Sequence, residues 1–150
     1  MKSLFQPVIG YLELGMFGEA KREIERLYPE LKAARVRPAK DGGAWRPLRE
    51  VAAILVSHWP GDVQNWMWLF YATRRCRSMA EAEKVLLDAL KIHPLAAMLH
   101  YNIACCAAQS GKYQVARTHL ALAVLLQPDL GPMAADDSEL APVWSVLAVE

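Results

Sequence analysis

The chain has little of what would mark a chemical site. Its cysteines number only three, an odd count that makes no disulfide framework and agrees with a reducing, cytoplasmic setting. No C-x-x-C or H-x-x-x-H spacing occurs, so no metal ligands are expected, and none of the glycine-rich or G-x-S-x-G motifs is present. Neither sign of charge dominates: 17 basic and 16 acidic residues leave a net +1. Such a balance sets up no global field for nucleic acid or an anionic membrane. Apolar runs are broken by charge or proline well short of the ~20 residues a membrane helix needs. At the start, Gln6, Pro7 and Glu13 leave no uninterrupted apolar core of a signal peptide.

Hydrophobic residues, by contrast, make up 54% of the 150 residues, and mean hydropathy is +0.09. Either the core is large for its size, or apolar surface is left for a partner.

The apolar residues recur with a fixed period. Trp66, Leu69, Phe70 and Thr73 are followed by Ala82, Leu86, Ala89 and Pro94, and 34 residues on stand His100, Ile103, Ala104, Ala107, Ala116, Leu120, Ala123 and Pro128. Self-similarity of this length means stacked supersecondary units. The second copy, with Tyr101-Asn102-Ile103-Ala104, Gly111-Lys112-Tyr113, Val115-Ala116, Ala123 and Gln127-Pro128, closely resembles the tetratricopeptide repeat. That resemblance implies an all-α fold, a superhelix of stacked helical hairpins with about three to four repeats and a C-terminal capping helix.

Taken in order as one domain, residues 1–29 read as a first repeat. Leu4, Val8, Tyr11 and Leu12 sit on one helix, Gly15 breaks it, and Phe17, Ala20, Ile24 and Leu27 define a second helix expected to end at Pro29. Residues 30–60 are a truncated second repeat. Trp45, Leu48, Ala52, Leu55 and Pro60 keep the register, but Gly43 lies 28 residues after Gly15, six short of the period. Arg35, Arg37, Pro38 and Lys40 predict a shortened helix or an irregular basic segment there, followed by an Asp41-Gly42-Gly43 turn. Residues 61–94 and 95–128 are the two complete repeats, with Asp62 and Ser78 as expected N-caps. Phe70 and Arg77 depart from the family's small residue and turn glycine. Residues 129–150 leave the pattern and predict a capping helix, started by Asp136-Asp137-Ser138, with Leu140, Val143, Trp144 and Leu147 facing inward.

Several clusters invite chemistry. Cys105 and Cys106 are adjacent and would diverge by about 100° on a helix, so with Cys76, His100 and His119 they read as packing residues rather than ligands or a nucleophile. Asp136, Asp137 and Glu139 read as carboxylates at a helix start. Arg74, Arg75 and Arg77 read first as cations at a helix C-terminus and second as a docking point for an acidic peptide. Trp66, Trp45 and Trp144 read as packing residues; Trp59 and Trp68 have no assigned partner and are candidates for exposure.

The resemblance implies a concave groove lined by the first helix of each hairpin. Here those positions are Gln64, Met67, Tyr71, Arg74 and Arg75, then Met98, Tyr101, Asn102, Cys105 and Gln109. The family's carboxylate-clamping branch uses basic and amide residues in these places, and Asn102 alone matches. Met and Tyr suit an amphipathic helix or apolar peptide instead. Met67→Ala and Tyr101→Ala are then expected to weaken binding while sparing the fold. The function class expected is a non-catalytic adaptor, scaffold or assembly factor without cofactor, binding a protein or peptide. The alternative is a module whose apolar surface joins copies of itself in a homo-oligomer. No sequence feature names the partner.

Overall fold

Amphipathic spacing translates directly into helices in the computed structural model, which describes residues 5–33 and 45–147, with side chains over 5–29 and 45–145. Among the described residues all regular structure is helical and no strand occurs. In order come α1 (Gln6–Glu13), α2 (Phe17–Ala33), α3 (Trp45–His58), α4 (Val63–Cys76), α5 (Met79–Ile92), α6 (Ala97–Gln109), α7 (Tyr113–Leu126), α8 (Leu130–Asp136) and α9 (Ala141–Leu147). The fold is all-α, and successive helices pair as antiparallel neighbours: α1 with α2, α3 with α4, and α6 with α7. Contacts group into two compact units, Met1–Ala82 and Glu83–Glu150.

In the first unit α2 shows why these residues fold as they do. Ala20, Ile24 and Leu27 fall on one face and are completely or almost completely buried. Arg22, Glu25 and Arg26 stay exposed on the other, with Arg22–Glu19 and Arg26–Glu23 pairs one turn apart. Leu48, Val51, Ala52 and Leu55 of α3 and Trp68 and Ala72 of α4 complete this core. One expectation fails here. The second helix does not end at Pro29 but carries it inside and runs on to Ala33. An interior proline forfeits one backbone hydrogen bond and crowds the preceding turn, at a cost of ~3 kcal/mol; nothing in the structure explains how that cost is offset. Pro7, in contrast, sits in the first turn of α1, where its missing N–H is no loss. The remainder of the expected basic segment and the Asp41-Gly42-Gly43 turn lie outside the described residues.

The 34-residue period reappears in the backbone hydrogen bonds that end α3, α5 and α7. Trp59 N donates to Leu55 O, His93 N to Ala89 O and Gln127 N to Ala123 O, each at 2.8–2.9 Å. Three residues later Asp62, Ala96 and Leu130 donate to Trp59, His93 and Gln127 at 3.1–3.3 Å. A side-chain tie is also repeated. Trp66 Nε1 donates to Pro60 O at 2.8 Å, and His100 Nε2 lies 2.8 Å from Pro94 O. Different ring types thus play the same part, one anchoring α4 and the other α6 to the junction before it.

Two hairpin turns need a left-handed residue. Gly15 (φ 70°) and Gly111 (φ 73°) supply it. Around them Met16 N bonds Tyr11 O and Lys112 N bonds Ala107 O, both at 2.8 Å, while the glycine amides reach Leu12 O and Ala108 O. Arg77 takes a different course with φ −128°. Its amide closes α4 on Thr73 O, and Ser78 Oγ then accepts from Glu81 N at 3.1 Å to start α5. Phe70, the other departure from the family pattern, is fully buried.

In the second unit Ala104, Ala107 and Ala108 of α6 and Ala116 and Ala123 of α7 are buried in one cluster. Such small side chains allow close approach of helix axes. The C-terminal segment differs from its expectation, because it forms two short helices rather than one. Asp136 is the last residue of α8 and Asp137 its C-cap, so they do not start the final helix. Leu140 and Val143 are buried as expected, whereas Trp144 is exposed, with its Nε1 3.3 Å from Ala134 O.

Candidate functional site

Two apolar clefts in the first unit run along α1, the start of α2, α3 and the α3–α4 corner. A cleft of about 740 Å³ is lined by Phe17, Lys21, His58, Trp59, Asp62 and Asn65 among others. A second, of about 460 Å³, is walled by Leu12, Glu13, Phe17, Glu50, Val51, Ile54 and His58. The two share Phe17 and His58.

Local chain geometry builds the shared wall. Met16 and Phe17 follow the left-handed Gly15, so the ring stands at the first turn of α2. His58 ends α3, and Trp59 follows it at the corner. Phe17 lies 4.9 Å from the His58 ring and 4.8 Å, edge to face, from Trp59. His58 Nδ1 is 3.0 Å from Ile54 O. A carbonyl can only accept, so the proton is assigned to Nδ1, and in the neutral ring Nε2 is an acceptor. Trp59, in the larger cleft, keeps 42% of its surface exposed and Ile54, in the smaller, 40%.

Charge is distributed unevenly along this surface. Lys21 pairs with Asp62, whose other oxygen caps α4 at Gln64 N (3.0 Å). Glu13 and Glu50 are exposed, and neither has a hydrogen-bond or ion-pair partner among the described residues. The smaller cleft is therefore apolar with a net negative rim.

The groove positions implied by the family resemblance fall in both units. In α4, Gln64 and Arg75 are exposed, Tyr71 and Arg74 half-buried, and Met67 is buried. Tyr71 faces Tyr28 with ring centres 6.3 Å apart, and the Arg75 guanidinium lies 5.5 Å above the Trp45 ring. Burial, and secondarily the neighbouring Tyr71, pushes the Tyr28 hydroxyl well above its usual pKa. In α6, Met98 is half-buried and Gln109 exposed, while Tyr101, Asn102 and Cys105 are buried. The chain itself engages much of this face. Tyr101 Oη donates to Asp137 Oδ2 at 2.7 Å, Cys105 Sγ is 3.9 Å from the same oxygen, and Gln109 Nε2 donates to Glu139 O at 2.8 Å. Asn102 Nδ2 donates to Met98 O at 2.8 Å. Burial raises the Tyr101 pKa, and its bond to Asp137 adds to the shift. Met67→Ala and Tyr101→Ala would therefore open cavities rather than leave the fold untouched, which corrects the expectation for both.

Of the two tryptophans without an assigned partner, Trp59 is exposed and Trp68 is core at 2%. Phe17 is not singled out by the sequence because a helix-face pattern ranks apolar residues as core, nor His58 because it ends α3 without any motif around it. The usable signal was Trp59-Pro60-Gly61, an aromatic placed at a junction between repeats.

The other notable cluster is a histidine pair. His100 and His119 stack with ring centres 5.1 Å apart and Nδ1 atoms 2.9 Å apart. His100 Nε2 must donate to Pro94 O, so in the neutral pair His100 Nδ1 accepts from His119 Nδ1. Burial first, and repulsion from His100 second, hold the His119 pKa below its usual value. Among the described residues no group of three or more His, Cys, Asp or Glu side chains is placed to hold a metal ion. No helix among them is long and apolar enough to cross a membrane.

No protein-family model matches the chain, and no curated protein matches it.

Proposed function

We propose that this protein is a non-catalytic interaction module of tetratricopeptide-repeat type that docks an amphipathic helix of a partner protein. The repeated junction bonds and the Trp66 and His100 ties, 34 residues apart, support the repeat assignment. The docking surface is the α1–α2–α3 cleft of the first unit, rather than the α4 and α6 positions alone. The observation that carries this reading is the half-exposed wall of Phe17, Ile54, His58 and Trp59. A helix laid into such a groove fills it with side chains at i, i+3, i+4 and i+7. Glu13 and Glu50 specify the partner further, because a Lys or Arg beside the apolar anchor meets two exposed carboxylates without a partner among the described residues. Cytoplasmic residence belongs to the same reading, supported by Cys76, Cys105 and Cys106 standing as thiols outside any disulfide.

Selection from a random peptide library displayed on phage tests it. Amphipathic sequences with a basic residue next to an aromatic or aliphatic anchor should be enriched, and they should fail to bind Ile54→Glu. Enrichment of acidic peptides, equal capture by Ile54→Glu, or no enrichment at all would overturn the reading.

A further inference from the structure

The second unit carries a surface that the proposed groove does not use. Helix α7 buries Ala116, Leu120 and Ala123, and opposite them it exposes Gln114, Val115, Thr118, Ala121, Leu122, Leu125 and Leu126. None of these seven outward positions is charged. The contrast with α2 and α5 is sharp, since their exposed positions include Arg22, Glu25 and Arg26, and Glu81, Lys84 and Lys91. Leu125 is 77% exposed, Val115 42%, and Leu122 and Leu126 38% each. Even the one hydroxyl on this face is turned inward, with Thr118 Oγ1 donating to Gln114 O at 3.1 Å.

We infer that the α7 face is a self-association surface, occupied by α7 of a second copy of this chain. Charge permits a copy to occupy it. The seven outward positions carry no ionised group, so burying them against the same positions of a copy desolvates no charge at the centre of the contact. Half-exposed Arg117 and His119 lie at its two edges, and two chains of net charge +1 hardly repel. Geometry argues the same way. The outermost line 114, 118, 121, 125 is symmetric about the middle of the helix, so in an antiparallel pair Gln114 meets Leu125 and Thr118 meets Ala121. The small residues therefore fall at the crossing point, where close approach of the two axes is needed. Area sets the strength. The seven positions offer on the order of 500 Å² per copy, roughly 1,000 Å² in the pair, which is the lower bound of a specific interface and the range of weak, reversible complexes.

Sedimentation equilibrium of the full chain from micromolar to near-millimolar concentration tests the inference. The weight-average mass of the wild type should climb from 16.8 kDa toward twice that value. Leu125→Glu, placed where the side chain is mostly in solvent, should keep the native melting temperature and weaken association by at least about tenfold, as expected for a charge forced into an apolar contact. A wild type fixed at 16.8 kDa throughout would overturn the inference. So would a Leu125→Glu chain that associates like the wild type. Loss of association in Ile54→Glu but not in Leu125→Glu would move the contact to the first unit and refute it as well.

Discussion

Substituting alanine at Gly111 and at Gly10 should move stability in opposite directions, because the two glycines serve different ends. Gly111 holds φ +73° in the α6–α7 turn, while Gly10 lies inside α1, and an added Cβ at either position meets no heavy atom within 4 Å. Sterics against neighbours therefore drop out, and only backbone preference remains. An L-residue in the left-handed region costs roughly 1–2 kcal/mol. In a helix interior the same change gains roughly 0.5–1 kcal/mol. At about 2–4 °C per kcal/mol for a chain of this length, Gly111→Ala should lower Tm by about 2–8 °C and Gly10→Ala should raise it by about 1–4 °C. Because the chain forms two compact units, amide exchange is the sharper assay for the first variant. The Lys112 amide, bonded to Ala107 O at 2.8 Å, should exchange about 5- to 30-fold faster in Gly111→Ala. Shifts of the same sign in both variants, or an unchanged Lys112 amide, would refute the reasoning.

Three further outcomes follow from other contacts. Tyr101→Phe keeps the ring but strips the hydroxyl from Asp137, and should cost about 1.5–3 kcal/mol as the loss of a hydrogen bond to a charged group, read by urea denaturation. His119 binds a proton less readily folded than unfolded, so its contribution is fully present above pH 6.5 and drains away as pH falls through its lower folded pKa. Tm should therefore fall between pH 8 and 5, with a shallower fall in His119→Gln; identical pH profiles would exclude the pair as the cause. For a selected basic peptide, raising salt through the physiological range should weaken binding to wild type but strengthen binding to Glu13→Lys with Glu50→Lys. A salt-independent affinity would remove Glu13 and Glu50 from the account.

Helix-by-helix, the fold was largely legible in the sequence, since burial of Ala82, Leu86, Ala89, Ala116, Leu120 and Ala123 follows their spacing directly. Gly15 and Gly111 were legible for the same kind of reason, as a left-handed turn is a demand that glycine meets best. Pro29 misled because a proline's penalty is local and a helix can carry it without ending there, as α2 does in running on to Ala33. Asp136 and Asp137 misled because acidic residues can equally end a helix when a tertiary acceptor is needed, and Asp137 accepts from Tyr101. The candidate site was less legible. Periodicity tells which helix face is buried but not which apolar residues remain half-exposed, as Phe17 and Trp59 show. Positions transferred from the repeat family ran into the same limit, because the C-terminal segment bonds to Tyr101 and Gln109 over many residues of chain.

The most direct measurement is a pair of two-dimensional NMR spectra of the isotope-labelled chain, with and without a library-selected basic amphipathic peptide. The account predicts that the largest shift changes fall on Phe17, Ile54, His58 and Trp59, and on Glu13 and Glu50 beside them. Changes centred on Met98, Tyr101, Asn102 and Gln109, or on no surface at all, would contradict it.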